Sequence, residues 1–198
     1  MAGFGSIAAT GQSIVRYLNH CFDLEQPLDS ERTTARLLRT EQFDRSAQVD
    51  GISGHTLSVF LYRIDFNKAM RAAWSGAGSV DGRAHLALDL HYLLTAWSDN
   101  AEYEHRILGR TLQCLEETPI LAGPLLDPAG GWAAHEALQL MMEEVPTEAL
   151  MRTFDSLPGD YRLSVPYIAR VLRLDTTTAR PDAPVQTVVN GMRPQVPR

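Results

Sequence analysis

Three groupings along the 198-residue chain carry side chains of the kind that bind metals or move protons. Glu102-x-x-His105 spaces a carboxylate and an imidazole to share one helix face, the half-motif that di-iron bundles use twice alongside two further carboxylates. No second copy occurs, so the pair reads as a solvated helix face with Glu102 serving the helix start. His85, Asp89 and His91 fall on one side of an alternating segment and offer the donor set of a facial triad of two histidines and a carboxylate. Their order and spacing match no metal motif, and a polar strand face meeting solvent or a partner is the simpler account. His135-Glu136 lacks the later histidine of the zinc-protease helix. The chain has no nucleophile elbow, phosphate-cradling glycine loop or CxxC pair. Gly76, Gly78 and Gly82 read as a loop. The expectation is a protein that is not an enzyme, with no cofactor and no metal.

Composition narrows the partners. Lys and Arg total 18 against 24 Asp and Glu, a formal charge of −6, which opposes the cationic footprint that a nucleic-acid binder needs. No window reaches the eighteen apolar residues of a membrane span, and the amino terminus lacks the basic region of an export signal. Cys21 and Cys114 sit at apolar helical positions and read as buried free thiols. At 44% hydrophobic residues the chain supports one core, placed over residues 1–175, followed by an extended tail over 176–198 that holds Pro181, Pro184, Pro194 and Pro197.

The elements that must position these side chains follow from periodicity. Ile7, Ile14, Val15, Leu18 and Phe22 recur at helical spacing after Ser6, a candidate N-cap. A short strand is predicted over Thr34–Thr40 and a core strand over Thr56–Phe66. Residues 67–74 either continue that strand or form a turn of helix. In Arg83–Trp97, Leu86, Leu88, Leu90, Tyr92 and Leu94 alternate on one face while Asp89, His91 and Thr95 take the other. At about 3.3 Å per residue this strand spans on the order of 45 Å, far beyond a usual strand, and suits a sheet reaching past its own core toward a neighbour.

A capped helix is predicted next, with Asp99 as N-cap and Glu102 closing a capping box, carrying Ile107, Leu108, Leu112 and Leu115 and stopping at Pro119. Ala137–Val145 is an alternating or short helical run. The helix after Pro146 sets Leu150, Met151, Phe154 and Leu157 on one stripe. In Tyr161–Asp175, Leu163, Val165, Tyr167, Ala169 and Val171 alternate, and Pro166 predicts an edge position or a bulge. The fold class is α+β, a mixed and mainly antiparallel sheet of long strands flanked by two or three amphipathic helices.

Long strands without a convergent polar site favour an assembly component. LSVFLYRIDFNKAMR (57–71), LALDLHYLLTAWSDNAEYEHRILGRTLQCLEETPIL (86–121), LQLMMEEVPTEALMRTFDSL (138–157) and YRLSVPYIARVLRLD (161–175) resemble, in order, successive blocks of the Pvc16-type N-terminal domain family. The resemblance covers about residues 5–175; the glycine-rich amino terminus and the short tail depart from it. It implies a fold similar to phage tail terminators and a cap on the distal end of the inner tube of a contractile injection system. The implied assembly is a homo-hexameric ring that contacts the inner tube protein, with the terminal sheath protein as a further candidate partner. The particle would form in the cytoplasm and be released or membrane-anchored. Other readings are a different ring or completion protein of a phage-like tail, or a metal-dependent enzyme using His85, Asp89 and His91. Candidate interface residues are Trp97 and Tyr103, for which core packing is the simpler account, Arg106, expected to bind carbonyls or a carboxylate after the long strand, and Arg170 and Arg173, whose sign suits an acidic tube rim. Glu143 and Glu144 face either a basic partner or solvent.

Overall fold

A computed structural model describes residues 2–29, 31–43, 52, 54–70 and 85–176. Strands β1 (Thr33–Leu37), β2 (His55–Phe66), β3 (His85–Trp97), β4 (Ile120–Ala122), β5 (Ala137–Met142) and β6 (Ser164–Asp175) form one sheet in the order β1-β2-β3-β6-β5-β4. Among the described residues only β1 and β2 pair in parallel; the other pairs are antiparallel. Helices α1 (Ser6–Leu24), α2 (Ala101–Glu117) and α3 (Thr147–Asp155) complete the α+β architecture, with short 3-10 turns at Thr40–Phe43, Gly123–Leu125 and Pro128–Gly130.

The two sheet faces are covered unequally. α1 and α2 press Ile14, Leu18, Phe22, Ile107 and Leu115 onto Leu57, Val59, Leu90, Tyr92, Leu94, Leu138 and Ala169, which form the main core. On the opposite face α3 and the Thr40–Phe43 turn close a smaller cluster of Phe43, Phe60, Leu93, Trp97 and Phe154, in which Phe43 meets the rings of Phe60, Trp97 and Phe154 edge-on. β3 therefore buries both its alternating sets, as a central strand must. Gly159, at φ 126°, holds the chain against this cluster; a Cβ there would stand 2.7 Å from the Phe43 carbonyl oxygen, so only glycine fits.

Flanking strands are shorter than central ones. β1 covers only His55–Val59 of β2, and β5 pairs only with Tyr167–Arg170 of β6. β2, β3 and β6 consequently run on together as a three-stranded tongue, as the length of the Leu-rich strand predicts.

Several local expectations are corrected. The N-cap of α2 is Asn100, whose Oδ1 accepts from the Glu102 amide at 2.8 Å; Glu104, not Glu102, reaches back, to the Ser98 amide. Ser6 is the first residue of α1 behind Gly5, and its buried hydroxyl caps nothing. β1 spans Thr33–Leu37, and Thr40 already belongs to the 3-10 turn. Residues 137–142 are strand, and residues 68–70 turn helical with the Asn67 side chain accepting from the Met70 amide. β6 begins at Ser164 and lies inside the sheet between β3 and β5, so Pro166 does not mark an edge. It accepts from the Glu143 amide at 2.9 Å but has no N–H to return, and the β5 ladder stops there. A bulge does occur farther along: Leu88 pairs with Leu172 but Leu90 with Ala169, so burial passes from Ala169 to Leu172 and skips Val171. Gly76, Gly78, Gly82, Arg83 and the tail from residue 177 lie outside the described residues. Cys21 and Cys114 are free and buried.

Candidate functional site

The half of the far face that α3 leaves open is polar, and its side chains hold one another. His91, on β3, places Nδ1 2.7 Å from Glu143 Oε2 and Nε2 3.3 Å from Asp65 Oδ2. Arg63 donates through Nη2 to Glu143 Oε1 at 2.9 Å and sets Nε 3.1 Å from Asp65 Oδ2. The Tyr62 hydroxyl donates to Glu143 Oε2 at 3.2 Å. Burial, followed by the charge of Glu143, pushes the Tyr62 hydroxyl up to about 12, which keeps it a donor. Local geometry explains the convergence. Strict alternation from Val59 would send Arg63 to the helix-covered face, but β2 carries an extra residue between Leu61 and Arg63 that turns Arg63 opposite His91. Glu143 follows the end of β5 and is anchored by its own amide on Pro166.

The proposed metal triad is not assembled. Asp89 accepts from Asn67 Nδ2 through both oxygens at 3.1 Å. His85 Nδ1 lies 2.5 Å from Asp175 Oδ1, and Arg173 donates through Nη2 to Asp175 Oδ2 at 2.9 Å, tying the ends of β3 and β6. Each of the three residues thus serves a different clasp between strands. Among the described residues no group of three or more His, Cys, Asp or Glu is placed to hold a metal. Glu102 and His105 are exposed on α2. Glu136 accepts from the Ala133 amide at 2.6 Å and borders a cleft of about 210 Å³ with Trp132, His135, Val171 and Arg173. Arg173 spans that cleft between Glu136, at 3.8 Å, and Asp175. This ionic closure holds strands together.

The candidate interface residues fall in different settings. Trp97 is fully buried, donates to Ser58 Oγ at 2.9 Å and carries the Arg162 guanidinium 4.5 Å above its ring, so it packs the second core. Tyr103 is half-buried, edge-on to His55. Arg106 pairs with Asp29, which precedes β1, instead of a group in the loop after β3. Arg173 is committed to Asp175. Arg170 is exposed beside Gln139 of β5 and meets no acid among the described residues. Glu143 is drawn inward and Glu144 is exposed. Sequence reasoning missed Tyr62, Arg63, Asp65 and Asn67; the polar alternation Arg63, Asp65, Asn67 was the available signal, masked by the bulge.

No helix among the described residues is long and apolar enough to cross a membrane. No curated protein sequence matches the chain. Among solved structures the fold is similar to the PVC sheath/tube terminator of an extracellular contractile injection system in its extended state, with a TM-score of 0.54 at 18% identity. That match covers 94% of this chain and 64% of the other. A second similar structure is the tube-terminating cap of the anti-feeding prophage, with a TM-score of 0.48 at 20% identity over 86% of this chain and 54% of that one. The chain therefore spans less than two thirds of either solved protein. The first likeness establishes a shared fold. With that fold in place, the sequence match to the Pvc16 N-terminal domain over residues 10–187 settles the family, and the chain belongs to it.

Proposed function

We propose that this protein is a tube-terminating cap of a contractile injection system, a structural component and not an enzyme. The observation that carries the reading is the fold it shares with a sheath/tube terminator across 94% of its length. The site geometry supports it: polar side chains that could do chemistry are tied to one another across strands, as a rigid scaffold requires.

A tube of stacked identical rings offers the same addition surface after each layer. Length control therefore needs a subunit that binds one ring face and presents no equivalent outer face. The cap would be a closed homo-hexamer, since a heterologous interface repeated by a rotation that returns to its start makes a ring. In this reading β3 and β6 carry ring and inner-tube contacts from the tongue they form with β2. Arg170 and Arg173 border those contacts, with Arg170 the cation best exposed to an acidic tube rim, while Tyr103 and Arg106, beside His55 and Asp29 at the opposite end of the strands, would meet a ring neighbour. The tail from Thr176 would reach the terminal sheath ring. Assembly would take place in the cytoplasm, on a particle later released or anchored.

Deleting the gene from a producing strain should give tubes of scattered length without caps in electron micrographs, and purified protein should be retained by tube rings. Tubes of normal length together with no retention would overturn the reading. Truncation at Thr176 tests the sheath contact separately: fully capped and sheathed particles would dismiss the tail's role.

A further inference from the structure

Phe4 is the most exposed large apolar side chain among the described residues, at 94%, yet its backbone is clamped. Ala2 and Ser6, on either side of it, are fully buried. The Asp175 amide donates to the Ala2 carbonyl and the Ser6 amide to the Gly3 carbonyl, both at 2.9 Å. Gly5 lies so close to the Pro128–Gly130 turn that a Cβ there would stand 3.1 Å from the Ala129 carbonyl oxygen. Phe4 is thus a rigidly presented knob, the form in which an aromatic side chain anchors an interface. Farther along the same helix, a groove of about 300 Å³ between α1 and the Gly123–Leu125 turn is lined by Arg16, Tyr17, His20, Pro124 and Leu125. Its walls are fixed. Arg16 Nη2 donates to the Pro124 and Leu126 carbonyls at 2.9 Å each, and the Tyr17 hydroxyl donates to the Cys114 carbonyl at 2.6 Å. Leu24, one turn beyond His20 and 72% exposed, extends the apolar rim. A groove that needs no ordering loses little affinity when it is filled. Phe4 cannot reach its own groove, because Arg16 and His20 follow Ser6 on one continuous helix and stand about 15–21 Å along it at 1.5 Å per residue.

We propose that Phe4 of one copy of this chain inserts into the groove of a second copy, its ring against Tyr17, Pro124 and Leu125 and its face toward the Arg16 guanidinium. The second copy is the occupant because one chain carries both halves and α1 holds them apart. A phenyl side chain supplies about 150–250 Å² of the roughly 800 Å² a side of a stable interface. The knob is therefore the anchor of a wider contact, to which Leu24 adds apolar area. Knob and groove are different surfaces, so the contact is heterologous and passes from copy to copy; it closes into a ring where the rotation returns to its start. The inference deepens the ring of the proposed cap and rests on that reading for closure alone.

The test follows the purified full chain by sedimentation velocity from micromolar to sub-millimolar concentration, beside retention on tube rings. The wild type should associate beyond the dimer. Phe4→Asp should weaken that association at least tenfold with no change in thermal midpoint, since Phe4 is exposed. Leu125→Asp should weaken it as much; because Leu125 is half-buried, His20→Glu, at an exposed position of the groove, serves as the second groove variant. Phe4→Asp protein mixed with either groove variant should form dimers and nothing larger, because the mixture holds one intact knob and one intact groove per pair. Wild-type protein that stays monomeric throughout, association that Phe4→Asp leaves unchanged, or mixtures that grow past the dimer would each overturn the contact. Monomers that tube rings still retain would leave the cap reading standing.

Discussion

Replacing Glu143 by alanine removes the one carboxylate on which three side chains from two strands converge. His91 loses its 2.7 Å partner while remaining 5% exposed, Arg63 loses a 2.9 Å bond at 45% exposure, and the Tyr62 hydroxyl loses its acceptor. A hydrogen bond to a charged group contributes about 1.5–3 kcal/mol when buried, and a half-exposed ion pair less than about 1. Asp65 still faces both His91 and Arg63 and takes up part of the loss. The net cost is therefore about 2–3 kcal/mol, mostly from the buried imidazole, against a total stability on the order of 5–15. Urea unfolding should show a lower midpoint with an unchanged slope, and thermal unfolding a fall of about 8 °C. Glu143→Gln, which still accepts but without charge, should lose about half as much. Glu144→Ala, one residue along and exposed, should stay within about 0.5 kcal/mol of the parent. If Glu143→Ala matched Glu144→Ala, the polar face would be a collection of independent surface charges and the clasp argument would fail.

Tyr92→Phe should stabilise the protein by about 1 kcal/mol, because the Tyr92 hydroxyl is fully buried with no hydrogen-bond partner among the described residues and its removal lifts a desolvation cost; a lower urea midpoint would contradict this. Alkaline pH should destabilise the chain. Burial, as the leading cause, raises the Cys114 thiol from 9.0 to about 12 and the Tyr17 and Tyr62 hydroxyls from 10.0 to about 12. The folded chain therefore keeps protons that the unfolded chain has released. Stability is whole below pH 9 and declines as pH rises through these values, and a urea midpoint that is flat from pH 8 to pH 11 in reductant would refute the burial of these groups. Arg170→Glu should leave unfolding within about 0.5 kcal/mol of the parent while cutting retention on tube rings at least tenfold; undiminished retention would remove Arg170 from the tube contact.

Most of the elements were legible because their periodicity is strong. The Leu-rich run gave β3, the stripe from Ile107 to Leu115 gave α2, and Phe154 within its stripe gave α3. What alternation could not show is where a strand slips by one residue. Two bulges, in β2 before Arg63 and in β6 beyond Ala169, reverse which face the following residues take. The first turned Arg63 toward His91; the second made Leu172, not Val171, a core residue. A further limit is chemical. His85, Asp89 and His91 share a face, as alternation requires, but whether such a set binds metal depends on what stands opposite each one. Asp175, Asn67 and Glu143 lie far off in sequence, except that Asn67 belongs to the neighbouring strand's end. The spacing of three donors says nothing about three separate answers.

The same clasps bear on how such a protein could be a good docking platform. The tongue of β2, β3 and β6 runs past β1 and β5, and a projecting sheet ordinarily loses conformational freedom when a partner fixes it, at a cost to affinity. Here Asp65, Arg63, His91 and Glu143 tie β2 to β3 and the end of β5, while His85, Asp175 and Arg173 tie β3 to β6. The strands are thus ordered before any partner arrives. Because those charges are already satisfied at home, an exposed cation that meets no acid among the described residues, such as Arg170, weighs more in orientation than its single charge suggests. Loosening the clasp while sparing the surface separates the two effects. Glu143→Gln should slow neither folding nor steering of the isolated protein toward tube rings, yet it should speed dissociation, since affinity lost through ordering appears in the off-rate. A lower on-rate with an unchanged off-rate would instead make Glu143 part of the electrostatic approach, and preorganisation of the tongue would not be its role.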